Sequence, residues 1–213
     1  MEAMEAHAHE HHALPTSGRA LTGVAVSATL HCLTGCAIGE IAGMAIGTAL
    51  GFSEWGTVAL AVALAFLFGY SLTSLPLLRA GFTVAAVIPI ALASDTFSIA
   101  VMEIVDNAIL LALPGAMEAG LGSVLFWGSL SFALAVAFVA ALPVNRWLIA
   151  RGKGHAAVHR TGVHGGPNTR VVGAIVAAAF VFGAAVLIAE AFDDDGGGGS
   201  EMPEMTLTVG SRA

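Results

Sequence analysis

Five apolar runs, each long enough to cross a bilayer, leave this chain few ways to fold. They lie near residues 21–50, 57–78, 82–113, 121–149 and 171–192. A helix needs about 20 apolar residues to span the hydrocarbon core. Lipid offers no partner to a free backbone N–H or C=O, so such spans must be helical. The composition agrees, since 57% of the 213 residues are hydrophobic, only 11% are charged and the mean hydropathy is +0.85. The expected fold is an all-α integral membrane protein. A bundle of five transmembrane helices fills residues 20–192, between a His-rich tail (1–19) and an acidic, Gly-rich, flexible tail (193–213).

Charge orients this bundle. Arg19, Arg79, Arg146, Arg151, Lys153, Arg160 and Arg170 all fall on one side of a five-span topology, the side that the positive-inside rule makes cytoplasmic. The N-terminus is therefore expected inside the cell and the C-terminus outside, in a multi-pass cell-membrane protein. The first residues are acidic and His-rich and do not have the basic start of a signal peptide. A net charge of −7 argues against a nucleic-acid partner. The two cysteines both fall inside a span and leave no disulfide framework for the aqueous regions.

Helix 1 carries the most chemistry. From His31 to Gly51 it reads HCLTGCAIGEIAGMAIGTALG, with two stripes at i,i+4 spacing. Residues four apart stack on one helix face. Gly35, Gly39, Gly43 and Gly47 form a seam on which another backbone can approach closely, either a helix of this chain, a second copy, or a membrane-complex partner. Beside it Cys32, Cys36, Glu40 and Met44 stack two thiols, a carboxylate and a thioether, with His31 adjacent. Cys, Met and His suit soft metals, and an ionisable group inside a span is by default functional. The stripe is thus a candidate metal ladder. Its bland alternative is ordinary packing by small and flexible apolar residues.

Helix 3 places Asp95, Met102, Glu103, Asp106 and Asn107 in another apolar run. Three acids in a span need cations, protons or each other. Met102 is a further candidate ligand; Asp95, Glu103, Asp106 and Asn107 are candidates for charge compensation or proton coupling. Counting from the start of each helix puts Cys32 and Cys36 level with Asp95, Glu40 with Met102 and Glu103, and Met44 with Asp106. Pro76 is expected to kink or end helix 2, and Pro89 to perturb helix 3. Asp106 and Asn107 would otherwise lie in the headgroup region.

Further histidines lie outside the spans. His7, His9, His11 and His12 form a short tract suited to metal recruitment, although the pattern also resembles an interrupted affinity tag. His155, His159 and His164 follow helix 4 among glycines and are expected to be solvated loop residues rather than ligands.

The motifs HCLTGCAIGE (31–40), MEIVDN (102–107) and PVNRWLIARGKGH (143–155) resemble the prokaryotic multi-pass membrane family known as domain of unknown function 4396. The resemblance covers helices 1 to 4 and implies an architecture but no reaction. Ligand chemistry then favours a transporter or handler of a soft transition-metal ion, copper before zinc, in contact with lipid bilayer. A structural or assembly subunit docked through the Gly seam is the second reading. A thiol-redox protein is third, because CxxxC within a helix lacks the N-terminal position that activates a thiol. No nucleotide or hydrolytic motif suggests an enzyme.

Overall fold

In a computed structural model, the chain is described for residues 17–159, 161 and 169–196. His7, His9, His11, His12 and His164, with the outer tail beyond Gly196, lie outside the described residues. Five long helices are apolar enough to span a bilayer: α1 (Gly18–Leu50), α2 (Glu54–Arg79), α3 (Val84–Ala112), α4 (Val124–Ala150) and α6 (Thr169–Gly196). A single turn, α5 (Ala156–His159), lies between the last two. No strand occurs among the described residues. Ser53 and Ser123 cap α2 and α4 by accepting from Gly56 N and Leu125 N, and Gly51, at φ 67°, closes α1.

Neither of the two prolines ends its helix where it stands, although α2 stops three residues after Pro76. Both α2 and α3 run on through Pro76 and Pro89. Each ring removes one backbone bond, while the apolar surroundings keep every other backbone group helical. The final helix extends to Gly196, past the expected 192.

The bundle is polar inside and apolar outside. Ile104 (71% exposed), Val181 (66%) and Val139 (63%) face outward, whereas Glu40, Asp95 and Asp106 are each no more than 1% exposed. Water would favour the reverse, so the distribution matches a lipid solvent. Exposed Trp55 and Trp127 sit at one end and Trp147 at the other, the interfacial placement such rings prefer. At that second end the Arg151 guanidinium stacks 4.1 Å over Trp147.

Helix α1 is the hub, touching α2, α3, α4 and α6. Its glycine seam lies against α2: Gly35 meets Gly69, Gly39 meets Ala65, Gly43 meets Ala61 and Gly47 meets Thr57, an antiparallel register held over four turns. The seam is therefore filled from within the chain, and the face expected to be available for a second copy or a complex partner is covered. On α1's other side α3 runs parallel to it, and α4 closes the core. The amide of Asn145 on α4 donates to Thr29 Oγ1 on α1 (2.9 Å) and Ser98 Oγ on α3 (2.8 Å), tying the three central helices together. Helix α6 packs on the outside of α4.

Candidate functional site

The polar residues of α1 and α3 separate into two groups at different depths. Near the end that carries Arg79, Arg146 and Arg151, Cys32, Asp95 and His155 each direct one donor atom to a common point, all within 4.8 Å of one another. His155 Nδ1 lies 3.0 Å from Asp95 Oδ1, and Cys32 Sγ lies 3.9 Å from the same oxygen. All three residues are buried.

The approach of His155 Nδ1 to Asp95 is close but off the line of a hydrogen bond, leaving the nitrogen without a hydrogen-bond partner. Two donors so placed resemble neighbours on one ion. A tetrahedral ion with bonds of about 2.0 Å to N and O and about 2.3 Å to S separates its ligands by about 3.3–3.5 Å, and the observed 3.0 and 3.9 Å straddle that range. Ser94 Oγ donates to Asp95 Oδ1 at 2.7 Å, the outer-shell support that orients a ligating carboxylate. The His31 ring stands edge-on to His155 with centroids 5.5 Å apart, and its Nε2 shares a 2.9 Å hydrogen bond with Thr73 Oγ1.

His155 reaches this point because α4 ends in a Schellman turn. Gly152 (φ 68°) donates to Ile149 O and Lys153 to Leu148 O, and Gly154 (φ 59°) turns the chain back into the bundle. A Cβ at Gly154 would lie 3.1 Å from that of Leu148. His155 is thus 8% exposed and Ala156 fully buried. The expectation of a solvated His155 is corrected: two left-handed glycines fold the loop inward and bring in a third donor that helix periodicity cannot reveal. The GKGH motif held a turn signal, though not the direction in which the turn would point. Asn145, within PVNRW, also escaped notice as the polar tie beneath the site.

The second group lies farther from that end. Glu40 on α1 meets Glu103, Asp106 and Asn107 on α3. The Asn107 amide donates to Glu40 Oε1 (3.3 Å), Glu103 Oε2 (3.3 Å) and the Glu103 carbonyl (3.0 Å). Asp106 faces Glu40, and the Cys36 thiol lies beside Glu103. Asp106 and Asn107 are therefore inside the bundle, against α1, rather than on its outer surface.

The expected single ladder is thus divided. Cys36 stands one turn beyond Cys32, with its neighbour Glu103 rather than Asp95. Met102 packs with Cys32, Cys36 and Ile99 in the apolar core. Met44 packs in a cluster with Leu110, and it lines a cavity of about 190 Å³ with Met117 and Phe126 near the opposite end of the bundle. Residue counting misses by about one turn here because α1 begins at Gly18, earlier than expected, and α3 at Val84, later than expected.

A family model described as Domain of unknown function (DUF4396) matches residues 23–154, more than half of the chain. That span holds α1 to α4 and His155's turn through Gly154, and excludes α6. No curated protein and no solved structure matches the chain.

Proposed function

We propose that this chain, which belongs to the family described as Domain of unknown function (DUF4396), binds a transition-metal ion through Cys32, Asp95 and His155 and moves it across the membrane. The convergence of those three buried donors on one point carries the reading. They arrive from α1, α3 and the α4–α5 turn, so only the folded bundle assembles the set. Three protein ligands leave a fourth position open, as in sites that exchange ligands rather than sites that only hold structure.

The donor types refine the choice of ion. A continuous Cys–Met stripe would favour copper, but Met44 belongs to another cavity. A thiolate, an imidazole and a carboxylate together suit zinc, whereas copper(I) prefers sulfur alone. Zinc thus becomes the first candidate and copper the second. The positive-inside rule places the basic end, with the metal site, toward the cytoplasm. The assembly-subunit reading loses its docking face, because α2 fills the glycine seam.

Elemental analysis and competition titration on the purified protein, with residues 1–13 deleted to remove the N-terminal histidines, test the binding. We expect one zinc or copper per chain, lost in Cys32→Ser and His155→Ala and retained in Cys36→Ser. Reconstituted vesicles should then accumulate that ion, and Cys32→Ser vesicles should not. An unaltered metal content in both ligand variants would refute the site; binding without flux would refute transport.

A further inference from the structure

The second group is built for something other than a soft metal. Glu40, Glu103 and Asp106 are 1%, 4% and 1% exposed. Four of their oxygens, Glu40 Oε2, Glu103 Oε1 and both of Asp106, have no hydrogen-bond donor. No Lys or Arg occurs between residues 20 and 78 or between 80 and 145, so no basic side chain of α1 or α3 stands at this depth. The described residues that α2 and α4 bring to this level, Ala61, Ala65, Ala133 and Ala137, add no titratable group. Around Glu40, then, the titratable neighbours are Cys36 on α1 and Glu103 and Asp106 on α3.

Three ionised carboxylates so enclosed would each cost several kcal/mol without a cation. The Asn107 amide has two N–H groups, already directed at Glu40 and Glu103. It can offset about one negative charge. Asp106 has neither oxygen satisfied, and a carboxyl group that carries a proton no longer has a charge to compensate.

We propose that Glu40, Glu103 and Asp106, gathered around the Asn107 amide, form a membrane-embedded proton-binding site that holds at least two protons at neutral pH. Sodium is the competing hard cation, and ligand supply disfavours it. Hard cations take several oxygen ligands, and α1 and α3 are unbroken here, so their carbonyls are committed to helix bonds. A proton needs only two oxygens.

The site lies eight residues along α1 from Cys32, about 12 Å, and one turn from Met44, which lines the cavity at the far end. The site thus stands between the candidate metal centre and that cavity. Exchange of its protons against the metal rests on the transport reading; their binding does not.

Infrared difference spectroscopy of the full chain in lipid, with chelator present and metal absent, tests binding directly. The spectrum at neutral pH should show the carbonyl stretch of a protonated carboxylic acid, shifted in heavy water. Asp106→Asn and Glu40→Gln should each reduce the band, and the pair together should remove most of it. Sodium chloride should not change it. A band that appears only after sodium is withdrawn would assign the site to that ion and overturn the proposal. So would a wild-type spectrum without the band, a result that needs no variant to fold and leaves the metal titration untouched.

Discussion

Adding one methyl group to α1 should have opposite effects at two glycines of the same helix. At Gly39 a Cβ would lie 2.2 Å from Ala65 N and 2.3 Å from Ala65 Cα, backbone atoms that no rotamer change can move. Restoring ordinary contact, which begins at 3.4 Å, requires α1 and α2 to part by about 1.2 Å. Packing at Gly35 and Gly43, which meet the same helix one turn away on each side, would loosen as well. Overpacking costs about 1–3 kcal/mol, and backbone-on-backbone contact belongs at the upper end; alanine's helix preference returns up to about 1 kcal/mol. We expect Gly39→Ala to destabilise by about 2 kcal/mol. At Gly23 nothing lies within 4 Å of an added Cβ, so Gly23→Ala should stabilise by about 0.5 kcal/mol or more. The gap of about 2.5 kcal/mol is a difference of more than fiftyfold in the folding equilibrium. Unfolding titrations in mixed detergent micelles with increasing dodecyl sulfate measure it. Equal effects at the two sites would refute the internal seam. So would a Gly39→Ala chain that stays folded but loses a dimer, since the seam would then belong between copies.

Two further substitutions test how the site is held. Ser94→Ala removes the hydroxyl that donates to Asp95 Oδ1; metal affinity should fall by about tenfold or more with the stoichiometry unchanged, read by competition titration. Asn145→Ala leaves Thr29 and Ser98 without their common donor. Interhelical hydrogen bonds in lipid contribute about 0.6 kcal/mol each, at most about 1.7, so a loss of about 1–2 kcal/mol in the same unfolding titration is expected, and no change would mean that α4 is held by packing alone.

The chain's solvent was settled by local properties. Apolar runs of bilayer length, and the clustering of Arg79, Arg146 and Arg151 at one end, are additive along the sequence and survive small errors in helix boundaries. The i,i+4 glycine stripe also announced a close helix contact, because the absence of a side chain acts the same way whatever the partner. Which partner was beyond the reach of periodicity: Gly39 suits any approaching backbone, and only the short connection through Ser53 and the antiparallel register with Ala61, Ala65 and Gly69 gave the seam to α2.

The acids of α1 and α3 were legible as a group, since an intramembrane carboxylate must find company. Their division into two sites was not. Cys32 and Glu40 share a helix face, but the bundle brings His155 to the first and Asp106 to the second. His155 is the sharpest case. In sequence it is one histidine among several in a Gly-rich loop, and its role depends on Gly152 and Gly154 turning left-handed beneath Leu148. The candidate metal site is a relation among three side chains spread over more than a hundred residues. The sequence by itself determined which side chains the membrane could not leave alone; tertiary packing decided which of them would meet, because that depends on distances of an ångström between helices that no local pattern encodes.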